Sequence, residues 1–304
     1  MSTFVGDLEY VETNYSNEAL GPSSRSCCKV VVGNSCGSGS LVGKRGGKSL
    51  ILTNAHVAGT KIGATARCTF PFAGNKTLEA RVIMAGYSDR VMMDWAVLEA
   101  NEELPLPHVK LSIEAPTGKH YTGGYPRCQG PKFQEITTVE ISHGGTVWKW
   151  NPNSIGGQSG SGVHSFTDHS QKGLLTWSWA GLGAGQTCRS IWMQYNNRNV
   201  SDLWKFGAVR EPGMIELTEV NPEIENGFFC EANITTLPIW AHLDDGTTNP
   251  PTEPPSGDCS GIITQVRESL NAMRLEITRL EEKLKGAGGS KNEDKPSGGG
   301  TFGL

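Results

Sequence analysis

Gly156-Gly157-Gln158-Ser159-Gly160-Ser161-Gly162 is a glycine-rich turn that carries a serine at its centre. Glycine lets the backbone turn sharply, which allows successive N–H groups to converge beside one side chain. A turn of this composition can also be an ordinary loop. Its meaning therefore depends on the chemical groups that the rest of the chain supplies.

Two other short segments supply a possible base and a possible carboxylate for the serine. Leu52-Thr53-Asn54-Ala55-His56-Val57 places a histidine directly after an apolar run, and Asp94-Trp95-Ala96-Val97-Leu98 places an aspartate at the start of one. Each segment alone is more often structural. Acyl transfer by a serine hydroxyl needs a base, a carboxylate that orients the base, and N–H groups that stabilise an oxyanion. The order His, Asp, Ser predicts a catalytic triad of His56, Asp94 and Ser159, with the N–H groups of Gly157 and Ser159 as oxyanion donors.

The apolar runs around these segments are short. Lys29-Val30-Val31-Val32-Gly33 is β-branched, and the turn-rich Lys44-Arg45-Gly46-Gly47-Lys48 between two apolar runs predicts a hairpin. Further strands are predicted at residues 66–70, 80–85, 95–99, 109–113, 135–141, 173–179 and 189–195. Many short strands at regular spacing favour an all-β barrel or sandwich. The first helix is predicted only at residues 199–206.

The three motifs resemble those of the chymotrypsin-like (trypsin-like) serine peptidases. Thr53-Asn54-Ala55-His56 is similar to the histidine motif of that family, Asp94-Trp95-Ala96-Val97-Leu98 to its aspartate motif, and Gly157-Gln158-Ser159-Gly160 to its G-x-S-G motif. The resemblance covers about residues 28–207. It implies two six-stranded antiparallel β-barrels with the triad in the cleft between them. It further implies a serine endopeptidase that acts on a polypeptide substrate without a cofactor or metal.

The resemblance also assigns residues to the substrate cleft. Gly173-Leu174-Leu175-Thr176-Trp177 looks like the family's G-I-V-S-W strand, which places Thr176 beneath the triad aspartate and Trp177 and Ser178 along the cleft. A register two residues later, on Ser178-Trp179-Ala180, is a second possibility. Ser154-Ile155-Gly156-Gly157-Gln158-Ser159-Gly160 is similar to the T-x-x-G-x-S-G pattern of sobemovirus-like polyprotein proteases, and this places Ser154 in the primary specificity pocket.

The compact spacing of the motifs is typical of bacterial Deg-type and plus-strand RNA virus proteases. Deg-type proteases usually carry a peptide-binding domain after the protease, and the C-terminal part of this chain does not resemble one. We therefore expect a viral polyprotein-processing protease. A Deg-type bacterial serine protease and a non-catalytic oligomeric scaffold on a protease-like fold are the alternatives.

The C-terminal part has a different organisation. A Pro-rich linker at residues 244–260 precedes residues 261–285, in which apolar residues alternate at spacings of 3 and 4: Ile263, Val266, Leu270, Met273, Ile277, Leu280 and Leu284. This heptad pattern predicts a coiled-coil helix and a homo-oligomer through residues 263–284. A single amphipathic helix docked on the domain is the alternative. The remaining predicted parts are an N-terminal arm (1–26), the protease domain (27–207), an extension of uncertain structure (208–243) and a disordered tail (286–304).

Composition excludes several function classes. The net charge of −4 gives no basic field, so no nucleic-acid partner is predicted. No apolar run approaches about 18 residues, which predicts no membrane span. The N-terminus does not resemble a secretory signal, so a cytoplasmic location is expected, in the host if the protein is viral. The 8 cysteines contain no CxxC pair, which argues against a metal site, and we expect reduced thiols.

Overall fold

A computed structural model describes residues 20–196, 209–234 and 237–240 of the chain. The first six strands are β1 (Cys27–Val32), β2 (Ser35–Arg45), β3 (Lys48–Thr53), β4 (Thr65–Phe70), β5 (Lys76–Ser88) and β6 (Met93–Ala100). The next six are β7 (His120–Gly124), β8 (Lys132–Ser142), β9 (Val147–Asn151), β10 (Gly162–Ser165), β11 (Gln171–Trp179) and β12 (Leu182–Thr187). Two helices, α1 (Ala55–Ala58) and α2 (Cys188–Asn196), follow β3 and β12.

The strands close into two barrels. In the first barrel the order is β5-β4-β1-β2-β3-β6, and β6 returns to pair with β5. In the second barrel the order is β10-β7-β8-β9-β12-β11, and β11 returns to pair with β10. The pairs that close each barrel are antiparallel. The prediction of an all-β fold with two six-stranded antiparallel β-barrels is therefore confirmed. The predicted coiled-coil helix at residues 261–285 lies outside the described residues.

Strand β3 is buried on both faces because its apolar residues are consecutive. Ile51 points into the first barrel and joins a core cluster there, whereas Leu50 and Leu52 join a second cluster that includes residues of α2. All three side chains are fully buried. Burying each one contributes about 1.5 to 3 kcal/mol to stability. Because both faces of β3 are covered, the residues that follow it at its C-terminal end are held in a fixed position.

The strand predicted at residues 189–195 is wrong, because helix α2 occupies this part of the chain. Ile191, Trp192 and Tyr195 are buried against the first barrel, a spacing that suits one face of a helix. The Thr187 hydroxyl accepts a hydrogen bond from the Ser190 N–H at 3.2 Å and so caps the helix start. A short apolar run does not separate strand from buried helix. The strand predicted at residues 109–113 is also absent, since only Leu111 makes an isolated bridge.

The region of uncertain structure contributes one strand to each barrel. Strand β13 (Ile215–Glu216) pairs antiparallel with β11 of the second barrel. Strand β14 (Gly227–Cys230) pairs antiparallel with β5 of the first barrel. The chain after β12 thus passes from one barrel to the other. No described helix has the length and apolarity needed to span a membrane.

A disulfide joins Cys36 in β2 to Cys128 in the loop after β7, with 6.1 Å between the Cα atoms. The expectation of reduced thiols is therefore wrong for this pair. The two cysteines are 92 residues apart and lie on different barrels, so no local pattern marks their pairing. Cys27 and Cys188 are free and buried, and burial raises the pKa of each thiol to about 12.

Removal of this bridge is expected to destabilise the protein substantially. In the chain-entropy account, a cross-link that closes a loop of this length stabilises the folded state by about 4.6 kcal/mol. The double variant Cys36→Ala/Cys128→Ala should lose that much free energy of unfolding in guanidinium titrations. Dithiothreitol should lower the stability of the native protein to the same level and leave the double variant unchanged. Equal stability of the native protein with and without reductant would contradict the prediction.

Candidate active site

The three predicted catalytic side chains form one hydrogen-bonded row. His56 Nδ1 lies 2.5 Å from Asp94 Oδ2, and His56 Nε2 lies 2.8 Å from Ser159 Oγ. The other carboxylate oxygen of Asp94, Oδ1, accepts a hydrogen bond from the backbone N–H of His56 at 2.9 Å. Because an ionised carboxylate can only accept, Nδ1 carries the ring proton and Nε2 is left to accept from the serine hydroxyl.

Each of the three side chains in the row is positioned by the element that carries it. His56 lies in α1, the single helical turn that directly follows β3. Asp94 is the second residue of β6, which pairs with β3. Ser159 lies in the turn before β10, in the other barrel. The row therefore bridges the two barrels.

A buried polar network holds the backbone of Asp94. Its carbonyl accepts from Asn54 Nδ2 at 2.7 Å and from Gln186 Nε2 at 2.9 Å. The same Asn54 amide donates to Thr176 Oγ1 at 3.0 Å. Thr176 thus lies beneath Asp94 and reaches it through Asn54, in the first of the two registers considered for this strand. Sequence reasoning quoted Asn54 within the histidine motif but gave it no role, and it missed Gln186.

The turn that carries Ser159 depends on two glycines in the left-handed region. Gly157 has φ +89° and Gly160 has φ +86°. A Cβ atom at Gly157 would collide with the Tyr125 carbonyl oxygen, and one at Gly160 would collide with the Ser38 carbonyl oxygen. Both positions therefore need glycine for conformation and for space.

Strand β2 fixes the same turn through Ser38, which sequence reasoning missed. The Ser38 N–H donates to the Ser159 carbonyl at 2.7 Å, and the Ser38 hydroxyl donates to the Gly157 carbonyl at 2.8 Å. A Cβ atom at Gly37 would lie 2.8 Å from the Ser159 carbonyl oxygen. The glycine-serine run Gly37-Ser38-Gly39-Ser40 could have signalled this close backbone approach.

The two predicted oxyanion donors lie in this turn, and they differ in whether the N–H group has a hydrogen-bond partner. The Gly157 N–H donates to Thr218 Oγ1 at 3.1 Å, a hydroxyl from the chain after β13. The Ser159 N–H has no hydrogen-bond partner among the described residues. The Gly157 N–H belongs to the Gly156–Gly157 peptide, and the carbonyl of that peptide accepts from the Arg127 N–H at 2.6 Å. Thr218 was not identified from the sequence, since no motif marks it.

The predicted substrate-contacting residues lie beside the row. The Trp177 side chain is buried with Met92 and Met214, and the Trp177 backbone pairs with β13. The Ser178 hydroxyl donates to Asn153 Oδ1 at 2.9 Å. Ser154 is buried, and its hydroxyl has no hydrogen-bond partner among the described residues.

Gly183 leaves room for the Ser154 side chain. A Cβ atom at Gly183 would lie 2.6 Å from Ser154 Oγ and would collide with Trp150 Nε1. Among the described residues, Trp150 Nε1 also lacks a hydrogen-bond partner. The sequence analysis did not identify Gly183 or Trp150 as neighbours of the predicted pocket residue.

Residues 37–170 match the family model of the trypsin-like peptidase domain. The match includes His56, Asp94 and Ser159 and ends before β11. Nothing in it is specific to the sobemovirus-like proteases. Strands β11 and β12, helix α2 and the extension lie outside the matched residues.

Several solved structures of proteases are similar to part of this chain. The inactive form of the Rv3671c protease of M. tuberculosis has 21% sequence identity and a TM-score of 0.45, and the alignment covers 63% of this chain and 94% of that one. A Glu endopeptidase in complex with MPD has 13% identity, a TM-score of 0.48, and coverages of 64% and 97%. The VesB protease of Vibrio cholerae has 14% identity, a TM-score of 0.44, and coverages of 57% and 64%. No curated protein sequence matches the chain.

Proposed function

We propose that the protein is a serine endopeptidase that cleaves peptide bonds through an acyl-enzyme. The observation that carries this proposal is the row in which the His56 ring is hydrogen-bonded to both Asp94 and Ser159. Such a row gives a weak hydroxyl nucleophile the general base that it needs. The match to the trypsin-like peptidase domain supports the same reaction class.

In the first half-reaction, Ser159 Oγ attacks the carbonyl carbon of the peptide bond while its proton passes to His56 Nε2. Asp94 holds the ring and stabilises the imidazolium that forms. The N–H groups of Gly157 and Ser159 stabilise the negative oxygen of the tetrahedral intermediate. The C–N bond then breaks, and His56 gives its proton to the departing amine. In the second half-reaction, water gives a proton to His56 Nε2 and attacks the ester carbonyl. The bond from that carbon to Ser159 Oγ breaks, His56 returns its proton to Oγ, and the carboxylic acid leaves.

Substrate contacts are proposed for the residues beside the row. Ser154 lies in the primary specificity pocket, and the backbones of Trp177 and Ser178 pair with an extended substrate. Thr176 supports the orientation of Asp94 through Asn54. The reaction that these residues perform needs no metal or cofactor.

The physiological role that we propose is the processing of a viral polyprotein in the cytoplasm of the host. The compact motif spacing and the Ser154 pattern support this role. A Deg-type bacterial serine protease fits the family match equally well. The Cys36–Cys128 bridge counts against this location, because disulfides are rare in cytosolic proteins. Homo-oligomerisation through residues 263–284 stays a prediction from the heptad pattern.

A fluorophosphonate probe tests the proposed function directly, because it forms a covalent bond only with an activated serine. The folded protein should gain the mass of one probe, and peptide mapping should place it on Ser159. The Ser159→Ala variant should remain unlabelled. Labelling at another serine, or retention of labelling by Ser159→Ala, would exclude the proposed reaction. A folded protein that no serine-directed probe labels would favour the non-catalytic scaffold.

A further inference from the structure

The predicted catalytic row is closed off from solvent. His56, Asp94 and Ser159 are each 0% exposed. A nucleophile of this kind must be reached by the carbonyl carbon of a substrate. The segment that lies across the row consists of residues 215–221, which we call the strap.

The strap begins as a strand on the edge of the second barrel. In β13, Ile215 pairs with Ser178 and Glu216 pairs with Trp177, in antiparallel register. Trp177 and Ser178 are the residues assigned to backbone pairing with a substrate. Addition of an extended peptide to a sheet edge is a general mode of peptide recognition. The strap therefore occupies the edge that a substrate would use.

The strap then crosses the turn that carries the oxyanion donors. The Leu217 carbonyl oxygen lies 2.7 Å from the position that a Cβ atom on Gly156 would take. The next residue, Thr218, accepts the hydrogen bond of the Gly157 N–H through its hydroxyl. This N–H is one of the two groups predicted to donate a hydrogen bond to the oxyanion of the substrate. A side-chain hydroxyl, rather than a peptide carbonyl, thus engages the donor.

The strap leaves over the first barrel, on the other side of the row. The Glu219 carbonyl accepts from the Ser35 hydroxyl at 3.2 Å. The Asn221 N–H donates to the His56 carbonyl at 2.7 Å, and Asn221 Nδ2 donates to the Val57 carbonyl at 3.2 Å. The segment is therefore fastened to both barrels and spans the cleft between them.

A charged pair anchors the strap beside the row. Arg210 Nη1 lies 2.7 Å from Glu216 Oε1, and the two side chains are only 17% and 14% exposed. The Tyr87 hydroxyl donates to the same carboxylate at 3.3 Å. Burial acts to raise the pKa of Glu216, but the Arg210 guanidinium outweighs it and holds this pKa below its usual range. Glu216 is therefore ionised at neutral pH.

We propose that the strap is an internal peptide ligand of the substrate cleft and that the protein hydrolyses an external polypeptide only when the strap has left. The inference rests on the proposed function, since it concerns access to the same site. The occupant is an extended segment with an acidic side chain beside the row. It acts as an inhibitor, because a hydroxyl and not the carbonyl of a peptide bond takes the Gly157 N–H.

The experiment compares two readouts in three forms of the full chain. The readouts are the rate of fluorophosphonate labelling at Ser159 and the rate of fluorescein-casein hydrolysis. Glu216→Gln/Thr218→Val removes the anchor charge and the hydroxyl that holds Gly157. Glu219→Gln makes the same amide change at an exposed side chain of the strap. The double variant should show both rates raised by about tenfold, because the open fraction of the protein limits apparent affinity. The control should match the native protein.

A synthetic peptide of residues 212–222 provides the second measurement. Added to the double variant, it should restore the slow labelling, whereas a peptide of scrambled order should not. Circular dichroism of each variant verifies that it is folded. Inhibition by the native peptide would show that the cleft binds this sequence even if the substitutions also loosen other contacts.

Three results would overturn the inference. One is a double variant with the rates of the native protein. Another is self-cleavage within residues 215–221, seen by intact mass in the native protein and absent in Ser159→Ala, because the strap would then be a substrate. The third is a folded double variant that no probe labels at Ser159. That third result would overturn the proposed function as well, whereas the first two would leave it standing.

Discussion

Replacement of Ser159 by alanine is expected to lower kcat for peptide hydrolysis by about a million-fold. The hydroxyl at 2.8 Å from His56 Nε2 is the proposed nucleophile, and no other side chain in the row can form the acyl-enzyme. Residual catalysis of about a thousandfold over water should persist, because the oxyanion donors remain. The measurement is steady-state hydrolysis of a peptide selected from a substrate library.

Ser161→Ala is the matched control for this change. Ser161 lies in the same turn, is equally buried, and has a hydroxyl without a hydrogen-bond partner among the described residues. Its removal should change kcat by less than about threefold, since no hydrogen bond is lost. Comparable losses in the two variants would mean that the turn, and not the Ser159 hydroxyl, carries the activity. An active Ser159→Ala protein would disprove the assignment.

Replacement of Asp94 by asparagine is expected to lower kcat by about ten-thousandfold. Oδ1 of Asp94 accepts from the His56 backbone N–H, so the amide oxygen of asparagine should take that place. The amide NH₂ then faces His56 Nδ1 and donates to it. Nδ1 becomes the acceptor and Nε2 carries the proton, which leaves the ring unable to accept the Ser159 proton.

Asp89→Asn is the control for the loss of one negative charge, because Asp89 is exposed. It should retain native kcat and native stability. The Asp94→Asn protein should stay folded by circular dichroism while its kcat falls, since the amide preserves the size of the side chain. A fall of less than about tenfold would indicate that Asp94 does not orient the histidine.

The all-β fold class could be predicted because the residues that favour a β-strand lie in short contiguous stretches of sequence. Short apolar runs and glycine turns between residues 27 and 187 predicted eight of the twelve barrel strands, but they did not predict β7, β9, β10 or β12. Helix α2 was misassigned because its apolar residues fit a short strand as well as a helical turn. The Thr187 cap was the one signal that could have corrected it.

The reactive side chains of the candidate site could be predicted from the sequence, but the residues that hold their backbone in place could not. His56, Asp94 and Ser159 each lie in a contiguous motif that the sequence displays. Ser38 and Gln186 were missed because their roles come from contacts with distant backbone groups. Such contacts leave no pattern in one sequence.

The barrel class, the three reactive groups and the glycine turn beside the serine could be predicted from the amino-acid sequence. These follow from local backbone preference and from side-chain chemistry, both of which a short stretch of residues fixes. The pairing of Cys36 with Cys128 and the course of the strap across the row became visible in the three-dimensional fold. Both join segments that are far apart along the chain, and the contacts that hold them exist only when both barrels are formed.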